Sequence, residues 1–265
     1  MMNDERLYVS TASIKNNRDL ANVLAVYYDL GFRKVEISAL HHYQNLEDLA
    51  DLVSRYQKKG ISFIFHNYFP RPQEDFVLNV MSKNEENRKS SKGLIAQAVE
   101  LARLTKVDLY CFHPGYLEDP PVLANGMFDF SEKKQWDKEE CLKIFRDDFM
   151  AFYKDLKLEK GQQAIFLGIE NLFPPPEGEN FSVFCSFPDI AEMFGFKEIA
   201  DSNMGILIDL GHLSIAANIL NFDRDKFLDQ VISHFGDRIY EVHLSEYNGR
   251  EDLHERITEG SWQLT

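Results

Sequence analysis

The chain has 265 residues and a formal net charge of −14, and 44% of its residues are hydrophobic while 27% are charged. This balance predicts one globular domain over residues 1–265. No apolar run reaches the roughly 20 residues that a membrane-spanning helix needs, and the start MMNDERLYVS lacks a signal-peptide layout. We therefore expect a cytoplasmic protein without a membrane partner. The negative charge disfavours nucleic acid as a partner, although a local basic groove or bound cations would offset it.

The three cysteines, Cys111, Cys141 and Cys185, are odd in number and are not spaced as C-x-x-C. A disulfide framework or a thiolate zinc site normally needs paired cysteines at short, regular spacing. We therefore predict three buried thiols.

Short β-branched or aromatic runs alternate with longer amphipathic stretches, which is typical of an α/β protein. We predict seven strands, at 7–12, 34–38, 62–65, 108–112, 164–169, 205–208 and 238–242. Apolar residues recur at helical spacing between them, and we expect these faces to pack on the sheet. The three faces are Leu94, Ala98, Leu101, Ala102 and Thr105; Phe145, Phe149, Phe152, Tyr153 and Leu156; and Phe227, Leu228, Val231, Ile232 and Phe235.

Four glycines precede predicted strands, at Gly31, Gly60, Gly161 and Gly236. A left-handed glycine commonly ends a helix, so the repeat is helix, glycine, strand. No linker divides the chain, and the loops 116–135 and 173–187 follow strands, as loops on the active face of a barrel do. An open doubly wound sheet is the rival architecture, but no G-x-G-x-x-G follows the first strand to support it.

We therefore predict a TIM (β/α)8-type barrel whose eighth βα unit is missing. Only residues 261–265 follow the Glu259-Gly260 turn, and these five residues are too few for a strand and a helix. Truncation is the favoured explanation, because SWQL resembles the start of a helix. The alternatives are a second copy that pairs with the open edges as a homo-oligomer and a shift of residues 1–6 into the gap.

Five predicted strands end in a residue that can bind a metal ion. These residues are His66, His113, Glu170, Asp209 and His243. Any single one is more often a structural residue, but a barrel brings the ends of its strands together around one axis. A mixed set of imidazoles and carboxylates suits Zn, Mn or Fe.

Two short patterns add candidate ligands. In Asp209-Leu-Gly-His212 the histidine follows the strand-end aspartate by three residues, and in Asp252-Leu-His254 two side chains in an extended loop face the same side. Together, His212, Asp252 and His254 could form a further site. The alternative for Asp252 and His254 is a solvated polar loop.

The ordered motifs FHNYFP, CFHPG, LGIEN, IDLGHL, VHLSE and DLHERITEG resemble the xylose-isomerase-like TIM-barrel superfamily, which includes endonuclease IV and sugar isomerases and epimerases. The resemblance implies up to three divalent metals per chain, with zinc favoured and Mn or Fe as alternatives. His66, His113 and Glu170 would hold the first, Glu170, Asp209 and His243 the second, and His212, Asp252 and His254 the third. A ninth expected ligand, a glutamate on the last strand, has no counterpart.

The chain departs from endonuclease IV at several positions. The segment ALHHYQN lacks the basic residues expected to contact DNA, and Phe69 stands where a tyrosine that penetrates the duplex is expected. Asn171 leads into LFPPPEGEN, where endonuclease IV is expected to have a glycine-rich turn. DNA repair is therefore not favoured. His41 and His42 could reach substrate, but we expect both to be exposed polar residues, and we expect His234 to lie on a helix surface.

Three functions remain. The favoured one is phosphoester hydrolysis by a hydroxide bound to the metals. The second is sugar or sugar-phosphate isomerisation or epimerisation with one metal and acid–base side chains. The third is a degenerate barrel that binds a metal or sugar without turnover. For an enzyme acting on a small phosphorylated or sugar-type substrate, we assign catalysis to Glu170 and His212, and substrate binding to Asn171, Arg250, Phe69 and Tyr116.

Overall fold

The computed structural model of the chain describes residues 7–14, 17–38, 41–122, 128–130, 135–156, 164–175, 180–247 and 249–264. All seven predicted strands are confirmed. They are β1 Val9–Ser10, β2 Lys34–Ile37, β3 Ser62–His66, β4 Leu109–Phe112, β5 Phe166–Glu170, β6 Met204–Asp209 and β7 Ile239–His243. The predicted and observed ends nearest the candidate ligands agree closely, because turn-forming and ligand residues mark where each strand stops.

Helices occupy most of the intervals between the strands. They are α1 Leu20–Asp29, α2 Leu46–Gln57, α3 Glu85–Thr105, α4 Lys138–Ile144, α5 Met150–Asp155, α6 Phe187–Phe194, α7 Lys197–Ala200, α8 Leu210–Leu220 and α9 Arg224–Phe235. A π-helical segment, Phe145–Phe149, joins α4 to α5. None of these helices combines the length and the apolar character that crossing a membrane requires.

The chain forms two compact units that interleave in sequence. The first comprises Met1–Glu74, Gly93–Tyr110 and Leu158–Ile165, and the second comprises Asp75–Lys92, Cys111–Lys157 and Phe166–Thr265. Helix α3 and strand β4 each contribute residues to both units. The single domain predicted over residues 1–265 stays a prediction.

The first unit contains β1, β2 and β3 as parallel neighbours, with Val9 paired to Val35 and Val35 to Phe63. The two helices α1 and α2 bury the apolar faces Leu20, Val23 and Leu24, and Leu49, Leu52 and Val53. The predicted α3 face is confirmed, since Leu94, Ala98, Leu101, Ala102 and Thr105 are all buried. Strand β1 is shorter than predicted because Thr11–Ser13 form a 3-10 turn that the Ser10 side chain caps.

The predictions about Gly31 and Gly60 are confirmed. Both have a left-handed backbone, with φ of 89° and 91°. The prediction of an exposed His41 is wrong: its side chain is only 4% exposed, and Nε2 lies 2.9 Å from the hydroxyl of Thr11. Burial lowers the pKa of His41 to about 4, so the ring is neutral. His42 is exposed as expected.

The second unit contains β5, β6 and β7 as parallel neighbours. Leu167 pairs with Met204 and Ile208 with Val242, and β6 is buried along its whole length. A continuous apolar strand of this kind is typical of a parallel sheet covered on both faces. Helix α8 follows β6 directly and is buried from Leu210 to Ala217, which places the end of β6 in the interior of the unit.

Two helical predictions in this unit have different outcomes. The face around Phe145 and Phe149 is confirmed, since both rings are fully buried. On α9, Phe227 and Val231 are buried, but Ile232 is 58% exposed, so its predicted packing is wrong. Gly236 is also predicted wrongly: its φ is −53°, because the chain leaves α9 through a 3-10 turn rather than a left-handed cap. Gly161 lies outside the described residues.

The two long loops contact each other. Tyr116 pairs with Ser182 in an antiparallel bridge, and the Leu117 amide donates to the Phe181 carbonyl at 2.7 Å. The rings of Phe128 and Phe130 lie edge-on to the ring of Tyr116. The loops therefore share a small apolar core. The three cysteines are buried free thiols, and His234 is exposed on α9, as predicted.

Gly168, in the middle of β5, tests how tightly this strand packs against Cys111. A Cβ at this position would overlap Sγ of Cys111. We expect Gly168→Ala to lower the free energy of unfolding by about 1–3 kcal/mol, since overpacking a tight core costs that much. Urea unfolding would measure the change.

The matched control is Gly93→Ala on α3, where a Cβ meets nothing within 4 Å. This variant should be neutral or stabilising by up to about 1 kcal/mol, because alanine favours helix. Adding Cys111→Ala to Gly168→Ala should recover part of the loss. A double variant whose losses simply add would show that Cys111 is not the obstacle.

Candidate metal centre

Three neighbouring strands of the second unit end in potential metal ligands. Glu170 ends β5, Asp209 ends β6 and His243 ends β7. The parallel register places Glu170 opposite Leu207 and Asp209 opposite His243, so the three side chains lie at one edge of the sheet. One ligand atom from each lies within 4.8 Å of those of the other two. Two carboxylates and an imidazole at this spacing could hold a divalent ion.

The carboxylate of Glu170 lies among several imidazoles. Oε1 is 3.1 Å from Nδ1 of His212, and Oε2 is 3.1 Å from Nε2 of His113. Nδ1 of His243 lies 3.9 Å from Oε1. The residue is only 1% exposed. The two oxygens of this buried carboxylate therefore face different imidazoles.

Asp209 both starts a helix and faces the centre. Its Oδ1 accepts a hydrogen bond at 2.7 Å from the amide of His212, which caps α8 and sets the position of that histidine. Its buried Oδ2 has no hydrogen-bond partner among the described residues and faces Nδ1 of His243 at 3.6 Å. Burial acts to raise the pKa of Asp209, but the charge of His212 and the contact with the His243 side chain outweigh it and lower the pKa. An ionised, incompletely satisfied oxygen fits a cation.

Asn171 fixes the position of Asp209 through its backbone. Its side-chain nitrogen donates to the Asp209 carbonyl at 3.1 Å, and its oxygen accepts from the Asp209 amide at 2.7 Å. The residue is 0% exposed, so both polar ends are occupied inside the protein. This geometry favours a supporting role over the predicted substrate contact.

Replacing Asn171 with Ala should leave the buried amide and carbonyl of Asp209 without these partners. We expect the free energy of unfolding to fall by about 2–4 kcal/mol, since each buried unsatisfied group costs about 1–3 kcal/mol. Chemical denaturation would measure the loss. Asn22→Ala, at an exposed position in α1, should change stability by no more than about 0.5 kcal/mol. Equal stabilities of the two variants would contradict the supporting role.

A hairpin carries the remaining predicted ligands. Glu246 and Glu255 exchange backbone hydrogen bonds, and Asp252 and His254 lie between them. Oδ2 of Asp252 is 2.8 Å from Nε2 of His254 and 3.3 Å from Nε2 of His212. Oδ1 of Asp252 is buried without a hydrogen-bond partner among the described residues. The three predicted ligands therefore do come together.

Protonation at this hairpin follows from the same contacts. The hydrogen bond to Asp252 raises the pKa of His254. Burial acts to lower the pKa of His212, but Asp209, Asp252 and Glu170 together raise it. Without a bound cation, protons therefore compensate the carboxylates, and a metal ion would have to displace them.

The other predicted site residues have varied surroundings. His66 ends β3 in the first unit and is buried, and Phe69, in the same unit, is buried against the ring of Phe65. Tyr116 is buried in the loop core of the second unit, and Arg250 is exposed on the hairpin. The substrate contacts predicted for Phe69, Tyr116 and Arg250 stay predictions. The burial of Phe69 against Phe65 favours a role in the core.

Two residues near the centre were not predicted from the sequence. The ring of Phe173 lies 4.8 Å from that of His212, and Oε1 of Glu241 lies 3.4 Å from Nε2 of His243. The signal for Glu241 is the two-residue period of a strand, which places it on the same face as His243. Phe173 is the second residue after Asn171, in the loop that leaves β5, and no spacing rule singles it out.

Parallel strands, alternating helices and ligands at the strand ends place this protein in the β/α-barrel class, with a candidate metal centre. Residues 24–264 match the family described as xylose isomerase-like TIM barrel, and the chain belongs to that family. This confirms the predicted fold class and family resemblance.

Solved structures with similar folds represent both predicted types of enzyme. A D-tagatose 3-epimerase-like protein matches with a TM-score of 0.65 and 23% identity, covering 96% of this chain and 81% of that one. Endonuclease IV from Thermus thermophilus matches with a TM-score of 0.55 and 17% identity, covering 96% and 82%. The IOLI protein with a bound zinc atom matches with a TM-score of 0.62 and 14% identity, covering 91% and 74%. At these identities the likeness shows the fold.

One curated relative is an uncharacterized protein, MJ1311, from Methanocaldococcus jannaschii. It is 26% identical over 218 residues, which is 82% of this chain and 61% of the relative. The chain therefore spans less than two thirds of the length of that relative.

Proposed function

We propose that the chain is a divalent-metal-dependent phosphoesterase with a multinuclear centre like that implied by its resemblance to endonuclease IV. The observation that carries this proposal is the position of Glu170, whose two oxygens face His212 and His113 at 3.1 Å each. A carboxylate that contacts a different imidazole through each oxygen is compatible with a ligand shared between two ions. The further ligands on the hairpin add a place for another ion.

The residues present fit such ions. Glu170, Asp209 and His243 would hold one, and His212, Asp252 and His254 another. The buried oxygens Asp209 Oδ2 and Asp252 Oδ1 lack hydrogen-bond partners within the described chain, which is costly unless a cation or water satisfies them. Mixed nitrogen and oxygen ligands favour Zn, with Mn or Fe as alternatives. Bound ions of this kind would activate water and stabilise a leaving oxygen during phosphoester hydrolysis.

Residues of the chain would organise the rest of the reaction. Asn171 and the α8 cap hold Asp209 in position, and Glu170 keeps His113 and His212 oriented. Phe173 covers one side of His212 with an apolar ring, which limits the access of bulk water. Arg250, exposed on the hairpin, would bind a phosphate or hydroxyl of a small substrate. Nucleic acid is not the favoured substrate.

A sugar or sugar-phosphate isomerase or epimerase is the second candidate. Glu170, Asp209 and His243 come within 4.8 Å of one another without any residue of the hairpin, so one ion could be held there alone. Similarity of fold to a D-tagatose 3-epimerase-like protein supports this alternative. In this case His212 and the hairpin residues would bind substrate or transfer protons rather than hold ions.

A substrate panel would test the proposal. The metal-free chain would be loaded with Zn or Mn and given phosphodiesters, phosphomonoesters, abasic-site DNA, ketoses and ketose phosphates. Release of phosphate or alcohol only after metal loading would support the phosphoesterase. Interconversion of sugars would support the second candidate, and bound metal without any turnover would leave only a degenerate, ligand-binding barrel.

A further inference from the structure

Glu241 occupies a defined place beside the candidate metal centre. It lies on β7 two residues before His243, and the register pairs Glu241 with Leu207 and His243 with Asp209. Because side chains alternate along a strand, Glu241 and His243 point to the same face of the sheet. The Glu241 side chain is only 8% exposed, so its carboxylate is held mostly within the protein.

The two nitrogens of His243 face different groups. Nδ1 lies 3.6 Å from Oδ2 of Asp209 and 3.9 Å from Oε1 of Glu170, whereas Nε2 lies 3.4 Å from Oε1 of Glu241. A neutral imidazole carries its proton on one nitrogen and offers a lone pair on the other. Because the carboxylates of Asp209 and Glu170 lie on the Nδ1 side, a cation would be bound by Nδ1.

We propose that Glu241 is a positioning residue whose carboxylate accepts a hydrogen bond from Nε2–H of His243 and so directs a deprotonated Nδ1 at the centre. This inference rests on the proposed metal site and deepens it. A histidine ligand generally donates its second N–H to a carboxylate or carbonyl, which fixes the tautomer and ring orientation and strengthens the bond to the metal. The two atoms are 3.4 Å apart, a few tenths of an ångström beyond the usual N–H···O distance of about 2.7–3.2 Å.

Two variants separate this role from general packing. Glu241→Gln keeps the size and one accepting oxygen but loses the charge, whereas Glu241→Ala removes the acceptor. Asp237→Asn, at an exposed position just before β7, is the matched control for loss of one negative charge. All three would be compared with the unaltered chain for secondary structure and unfolding midpoint.

The first measurement uses the metal-free protein. Nitrogen-15 NMR of the histidine rings, at mildly alkaline pH, reports which nitrogen of His243 carries the proton. We expect the Nε2–H form in the unaltered chain and in Glu241→Gln and Asp237→Asn, and a mixture of both tautomers in Glu241→Ala. The same tautomer ratio in the unaltered chain and Glu241→Ala would overturn the inference, whether or not the protein binds metal.

The second measurement is titration with zinc ions alone. We expect Glu241→Ala to weaken zinc binding by about 10–100-fold, Glu241→Gln to recover part of that loss and Asp237→Asn to have no effect. Zinc affinity unchanged in Glu241→Ala would also overturn the inference. Failure of the unaltered chain to bind zinc would instead contradict the proposed metal site, and the tautomer measurement would still decide the role of Glu241.

Discussion

Replacing Glu170 with Gln is expected to abolish activity while the fold persists. Glutamine keeps the size and the hydrogen-bonding oxygen but removes the negative charge that faces His113, His212 and His243. If this charge offsets two cations, we expect kcat/KM to fall on the order of 10³-fold or more, about 4 kcal/mol of transition-state stabilisation. Steady-state kinetics together with metal analysis of the same sample would measure the effect.

Glu139→Gln is the control for this experiment, since Glu139 is exposed on α4 and lies outside the candidate centre. It should match the unaltered chain in activity and metal content. Circular dichroism and the unfolding midpoint should show that Glu170→Gln remains folded. Full metal content with retained activity in Glu170→Gln would exclude a bridging role for this carboxylate.

Replacing His254 with Ala should distinguish the two candidate reactions. His254 contacts Asp252 at 2.8 Å on the hairpin and does not belong to the group formed by Glu170, Asp209 and His243. In a phosphoesterase that uses a metal at the hairpin, its loss should reduce kcat on the order of 100-fold. In an epimerase with one metal, the rate should change by less than about tenfold, the range of indirect effects on metal ligands.

The matched control is His234→Ala, because His234 is exposed on α9 and contacts Phe187 and Ser233 rather than the centre. Its activity should equal that of the unaltered chain. Activity would be measured on whichever substrate the panel identifies. A phosphoesterase that loses less than about tenfold in His254→Ala would show that the hairpin holds no catalytic metal.

The strands and the ligands at their ends could be predicted because both depend on local patterns. Apolar runs lead into His66, His113, Glu170, Asp209 and His243, and each strand stops within one residue of its ligand. The parallel register of β5, β6 and β7 brings Glu170, Asp209 and His243 to one edge of the sheet. The chain order of motifs then indicated the family. The pairing of Asp209 with His212 follows from helix capping, which is also a local rule.

Other features depend on contacts between distant segments and could not be predicted. His41 is buried because Thr11, 30 residues earlier, provides a partner. Ile232 fits the helical period of α9 but lies at the margin of its apolar face, where tertiary packing decides exposure. The substrate contact predicted for Asn171 stays a prediction, but the hydrogen bonds between its amide and the backbone of Asp209, 38 residues later, could not be predicted. Glu241 was missed because its significance depends on how the ring of His243 is turned.

Glu170 is proposed to hold more than one divalent ion near the ends of strands β5, β6 and β7. The most direct test is the metal content of the chain after loading with zinc and removal of excess, measured by inductively coupled plasma mass spectrometry. We predict about two or three equivalents per chain, with a loss of at least one in Glu170→Gln and none in Glu139→Gln. A single equivalent would favour the epimerase-type site, and no zinc in the unaltered chain, or full content in Glu170→Gln, would contradict the proposal.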